Sequence, residues 1–201
     1  MRDNNSINCG CSSAKNNCKI GPFEALDATC SPVPSVASGI SIIPFSSGPF
    51  TSSISTTSVG LPSGISLIGF GSAVNGLALL PNGDIDLTTQ VTEAFSNPQA
   101  GNITTISASF SSTTTFQPQI ESTIRAQIYR AAAYSNIFSP TNAFVDLTPI
   151  STLFSVARGL KNVSPPVSVA AGDLLLMVFT VTSSGTVTII GNAMAGITIA
   201  L

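Results

Sequence analysis

From Gly39 onward, small polar residues alternate with Ile, Val, Phe and Leu in short runs broken by Gly, Pro, Ser and Asn. A period of two puts one face of a segment on a core and the other in water, so these runs predict β-strands. Strands are predicted at Ile40–Phe45, Ile65–Phe70, Leu77–Leu80, Asp84–Val91, Ile103–Phe110, Glu121–Ala132, Ala143–Leu147, Leu153–Leu160, Asp173–Thr182, Thr186–Ile190 and Ala195–Leu201. The apolar spacing of Glu121–Ala132 would also suit a helix. A strand is favoured because Ile124, Ala126, Ile128 and Arg130 alternate with Thr123, Arg125, Gln127 and Tyr129. Ser183-Ser184-Gly185 supplies a tight hairpin turn. About ten short strands with turn signals and no convincing helix predict an all-β sandwich or barrel.

One run breaks the alternation. Leu174 to Val181 reads LLLMVFTV and is apolar on both faces. It is far short of the roughly 20 apolar residues a membrane helix needs. A strand apolar on both faces must be covered on both, and a second subunit packed on its outer face would do this. Burying about five large side chains at ~1.5–3 kcal/mol each would drive association. Leu174, Leu175, Leu176, Met177, Val178 and Phe179 are therefore the expected subunit-interface residues.

The texture before Gly39 is different. Residues 1–30 are polar and hold all four cysteines, Cys9, Cys11, Cys18 and Cys30; residues 31–38 carry Pro32 and Pro34 and predict an extended, semi-rigid linker. The expected organisation is a cysteine-rich arm (1–30), a linker (31–38) and a β-domain (39–201). The start, MRDNNSINCGCSS, has no apolar stretch, so no secretory leader is expected. A reducing cytosol would keep the thiols free. They therefore bind metal, or the protein reaches an oxidising place by another route.

Charged residues are 8 % of the chain, the net charge is −2, and there is no histidine or tryptophan. The low charge again favours association. No basic patch exists to neutralise phosphates, so nucleic acid is not an expected partner, and neither is a membrane. Without histidine, the commonest general base and metal ligand are missing. A structural protein is expected, with no catalytic residues, no metal and no cofactor.

Six segments in order, SGISIIPFSSG (38–48), LIGFGS (67–72), ITTISASFS (103–111), IRAQIYR (124–130), GDLLLMVFTVTSSG (172–185) and AGITI (195–199), resemble the C-terminal domain of BclB-type exosporium glycoproteins, collagen-like proteins of Bacillus-type spore surfaces. The resemblance covers roughly 39–201. It implies a jelly roll like that of tumour necrosis factor, assembled as a homotrimer in the outermost spore layer (the exosporium). Such layers are assembled inside the mother cell and exposed at lysis, so no leader would be needed and oxidation could follow. Other spore-surface proteins become expected partners. The family's long Gly-X-Y stalk is missing here. The thiol arm stands in its place, which favours stacked or anchored jelly rolls, as in a spore appendage fibre.

The cysteine spacing is C-x-C, six residues, C, eleven residues, C. The C-x-C pair is tighter than a zinc knuckle, and a Cys9–Cys11 bridge would close a strained ring. Intermolecular disulfides between arms and neighbouring subunits are the preferred reading; metal binding and unpaired thiols are the alternatives. Asp84 and Asp86 are too few oxygen donors for a calcium site and read as a solvated strand start. Glu121 and Arg125 share strand parity and are expected in a surface or subunit ion pair. Ser52-Ser53, Thr56-Thr57 and 111–115 read as exposed polar faces, with glycan attachment as the alternative suggested by the resemblance. Asn4, Asn102 and Asn162 head N-x-S/T triplets, which carry little weight in a bacterial cell. The expected function is a self-assembling component of the spore surface. The alternative is a trimeric tip module that binds glycans or receptors.

Overall fold

The computed structural model of the chain describes residues 19–20, 23–24, 39–90, 92–116, 120–150, 152 and 154–201. Contacts divide the chain after Ser38. In the first unit, β1 (Lys19–Ile20) and β2 (Phe23–Glu24) pair antiparallel. The four cysteines and the two linker prolines lie outside the described residues, so the expected bridges and linker do too.

The second unit contains twelve strands. They are β3 (Ile40–Ser46), β4 (Ser52–Thr56), β5 (Pro62–Ile68), β6 (Ala73–Leu77), β7 (Ile85–Asp86), β8 (Phe95–Ser96), β9 (Gly101–Phe116), β10 (Ser122–Ala131), β11 (Ile137–Asp146), β12 (Val156–Val169), β13 (Leu174–Ser183) and β14 (Thr188–Ala200). Eight of them define the topology. Strand β3 pairs with β14, β5 with β13, β9 with β12 and β10 with β11, all antiparallel. The first strand therefore pairs with the last, and each later pair nests inside the one before. That nesting is the signature of a jelly roll. Further pairing of β14 with β9 and of β13 with β10 completes two layers, β3–β14–β9–β12 and β5–β13–β10–β11. Strand β4 pairs with both β14 and β5 and carries the chain from one layer to the other.

The principal core lies between the layers. Phe45, Ile54, Ile106, Phe110, Ile124, Ile128, Phe179, Ile189 and Ile197 belong to it, and the rings of Phe110 and Phe179 pack 6.1 Å apart. Alternation works as the sequence implies: Ile124, Ala126 and Ile128 all face inward. Arg130 breaks the series: it is exposed, and its guanidinium donates to the Ser168 carbonyl.

A second, smaller core corrects the expectation for β13. Leu175, Met177, Phe179 and Val181 face the principal core, while Leu176 and Val178 face outward into a cluster with Ile65, Leu67, Tyr129 and Phe138. That cluster is roofed by the chain's own 74–94 segment, through Val74, Leu77, Leu79, Ile85, Leu87 and Ala94. Leu175, Leu176, Met177, Val178 and Phe179 are each 0 % exposed in the single chain, and Leu174 is packed against the second core. Leu175 to Phe179 therefore have no surface to offer a second subunit, and Leu174 keeps only part of its own. The apolar faces were correctly read as needing cover, but a connecting segment of the same chain provides it.

Several boundaries also differ. Leu77–Leu80 is not a strand; the strand is Ala73–Leu77. Asp84–Val91 contributes only Ile85–Asp86, because this stretch serves as roof rather than ladder. Strand β12 begins at Val156 instead of Leu153 and runs on through Pro165-Pro166. Its register shifts between Asn162 and Val167, which lets the prolines sit in an irregular stretch of an edge strand. The two short strands expected at 186–190 and 195–201 are one, β14. Ser52 and Thr56 are buried, not an exposed polar face, and flank Ile54 in β4. Thr56 is accommodated because its hydroxyl donates to the Gly185 carbonyl and accepts from the Val187 amide.

Candidate functional site: an uncovered sheet face

Among the described residues of the second unit, none roofs the outer face of β3–β14–β9–β12. Inward residues of β14 are Ile189, Gly191, Ala193, Ile197 and Ile199, so Asn192, Met194, Gly196, Thr198 and Ala200 face out. The register aligns outward rows across the four strands. One row is Ser46, Met194, Ser109 and Arg158; the next is Pro44, Gly196, Ser107 and Leu160; a third is Ile42, Thr198, Thr105 and Asn162. Ile42 is 72 % exposed, Leu160 73 % and Ile40 69 %, with Met194 and Val156 about half exposed. Apart from Met194 on β14, small residues fill the middle of the face and large apolar ones stand at its two edges. The result is a shallow groove of about 560 Å³ lined by Ser107, Ser109, Arg158, Leu160, Met194 and Gly196. A Cβ at Gly196 would meet only the Ile43 carbonyl, at 3.9 Å, so the groove floor is open there.

The rows contain one formal charge, Arg158. The other cations of the domain are engaged elsewhere. Arg125 makes a two-point ion pair with Asp146, Nε to Oδ1 at 2.7 Å and Nη2 to Oδ2 at 3.0 Å. This pairing, not one with Glu121, is what Arg125 forms; Asp146 lies directly opposite it on β11. The hydrogen bond to Asp146 pushes the Arg125 pKa up. The Phe144 ring sits under two cations, Lys161 Nζ at 3.5 Å and the Arg125 guanidinium at 4.2 Å. Arg130 lies 3.7 Å from Asp173, whose carboxylate accepts from the Ala170 amide.

Asp84 and Asp86 are held locally. Asp84 accepts from the Asn82 side-chain amide, and Asp86 accepts from the Thr88 hydroxyl and amide, which hold its carboxyl below the usual range. These contacts within a turn account for both carboxylates. Among the described residues, no group of three or more His, Cys, Asp or Glu converges. None of the helices there is long and apolar enough to cross a membrane, since every element is a strand.

Two exposed aromatic residues sit in the left-handed backbone region, Tyr134 at φ 68° and Phe154 at φ 56°. Tyr134 is at the tip of the β10–β11 hairpin and is fully exposed. A groove of about 590 Å³ near its base is lined by Arg130, Ser139, Asn142 and Ser168 among others.

Sequence reasoning missed the open face. The signal was present in Ile40-Ser41-Ile42-Ile43, where the outward positions are as apolar as the inward ones. Leu160 and Arg158 stood two apart in a predicted strand and so on one face, but nothing local showed that this face lies beside Ile42 or is left open.

No family model and no curated protein matches the chain. A solved structure of Eiger TNF from S. frugiperda aligns over 79 % of this chain and 94 % of that one, with 12 % identity and a TM-score of 0.33. At that level the likeness carries no weight of its own. The jelly-roll assignment rests on the nested strand pairing, which is the fold class expected from the sequence.

Proposed function

We propose that this protein is a self-assembling structural component of the bacterial spore surface, an exosporium layer or an appendage fibre. It associates as a homotrimer through the outer face of β3–β14–β9–β12, and its arm cysteines Cys9, Cys11, Cys18 and Cys30 then bridge neighbouring subunits. The spore setting comes from the BclB-type resemblance. The observation that carries the association is the uncovered face itself. Burying Ile40, Ile42, Val156, Leu160 and Met194 would contribute on the order of 5–10 kcal/mol before the entropy cost of association. A second copy of the chain is the fitting partner because the face is apolar or neutral at every outward row position but Arg158. Disulfides formed afterwards would lock the assembly.

The test is sedimentation of the purified chain in reductant and in oxidant, with non-reducing gels and negative-stain microscopy. Trimers in reductant, and ladders or filaments that form only in oxidant, are expected. Monomers at all concentrations with reductant would overturn the association. A single monomer band without reductant would overturn the cross-link.

One observation favours a second reading, a tip module that binds glycans. The exposed Tyr134 ring stands near a groove bearing the Arg130 and Asn142 donors. Binding on a glycan array that is lost in Tyr134→Ala would favour it.

A further inference from the structure

Arg158 is the one charge in the outward rows of the open face, and among the described residues no carboxylate lies in those rows. Its strand neighbour opposite is Ser109, and Leu160 beside it stands opposite Ser107. Neither serine hydroxyl makes a hydrogen bond among the described residues, and the guanidinium makes no ion pair there. A fork of guanidinium donors and two free hydroxyls therefore line one groove, above a glycine floor.

In the lone chain this arrangement is solvated and costs nothing. Self-association changes that. Every copy presents the same face, so assembly brings Arg158 toward an apolar surface with no acid on it. Burying an unpaired cation costs several kcal/mol unless a counter-charge enters with it. The domain's carboxylates lie elsewhere: Asp146 and Asp173 sit beside Arg125 and Arg130, Asp84, Asp86 and Glu93 are held by Asn82, Thr88 and Ser72, and the exposed Glu121 precedes β10 in the other sheet.

We propose that the Arg158 groove is an oxyanion site, completed when subunits associate, that takes a multivalent anion such as phosphate. The guanidinium would hold two anion oxygens in its planar fork, and Ser107 and Ser109 would donate to the others. A single exposed arginine binds phosphate weakly. Copies placed together bind it more tightly, so the anion stabilises the assembly by linkage and not the isolated fold. This site rests on the self-association reading above.

The experiment is sedimentation velocity of the full chain in reductant at pH 7.5, with sodium chloride replaced by sodium phosphate at constant ionic strength. The dissociation constant of the wild-type assembly is expected to fall about tenfold in phosphate, equivalent to ~1.4 kcal/mol. Arg158→Gln and Arg158→Met should assemble with no such dependence, and Lys161→Met should keep it. An assembled wild type indifferent to phosphate overturns this proposal alone. So does an unchanged phosphate response in Arg158→Met, which would mark a general salt effect. A chain that stays monomeric in both salts overturns the association reading and the site together.

Discussion

The two sheets of this jelly roll treat their outer faces differently. Behind β5–β13–β10, outward apolar residues such as Leu176, Val178, Leu67 and Ile65 are fully buried under the chain's own 74–94 segment. Behind β3–β14–β9–β12, outward Ile40, Ile42 and Leu160 stand in solvent. Both faces carry more apolar surface than a wet sheet face needs. One is closed by a connection long enough to fold back, whereas no described residue of the domain covers the other. An apolar face thus signals that cover is required without saying whether it comes from within the chain or from outside.

The sharpest way to break this comparison is to weaken the covered side. Leu176→Ala removes a side chain packed at zero exposure and should cost ~2–5 kcal/mol of stability, measured by chemical denaturation. Ile42→Ala on the open side should shift the same curve by less than ~0.5 kcal/mol, as for an ordinary surface change. Equal costs at the two positions would erase the distinction.

The next effect is on assembly. Ile42→Asn combined with Leu160→Asn should raise the dissociation constant roughly 100-fold, from about 3 kcal/mol of lost burial and unpaired polar groups. The melting temperature of the dilute monomer should barely change. Unaltered sedimentation would move the interface away from this face.

A smaller effect separates the faces by pH. Burial under the 74–94 roof, with the nearby Asp84 charge second, pushes the Tyr129 hydroxyl pKa above 10. The fold therefore prefers neutral tyrosine. That stability is fully present below the unfolded pKa near 10 and is lost as pH rises through the higher folded value. Tyr129→Phe should flatten the alkaline limb of stability against pH, and the open face, which has no tyrosine, should contribute nothing to it.

The smallest effect concerns the edge between the faces. Asp146→Asn breaks the two-point pair with Arg125, both half-exposed, and should cost ~0.2–1 kcal/mol at low salt and less at high salt. Thermal melts at two ionic strengths would show it.

Much of this architecture was legible residue by residue. Ile124, Ala126 and Ile128 declared the inward face of β10 because period two leaves little choice of orientation. Leu174 to Val181 declared a strand dry on both sides. Other parts were hidden. Ser52 and Thr56 look like surface residues and are buried; groups 129 and 131 residues away satisfy the Thr56 hydroxyl, while Ser52 Oγ has no partner among the described residues. The strand expected to end at Leu160 runs on through Pro165-Pro166, and only an edge position with a register shift admits them. Arg125 was expected near Glu121 by parity, but its partner came from across the ladder, at Asp146.

The sequence by itself determined the β class, the strand polarity and the demand for cover, because these follow from local periodicity and from the free energy of apolar surface. Tertiary structure alone decided who meets that demand. Which face the 74–94 segment folds over, and so which face stays open with Arg158 on it, depends on the nested pairing of strands far apart in the chain. No local pattern encodes that pairing. It moved the candidate interface from Leu174–Phe179 to the opposite sheet.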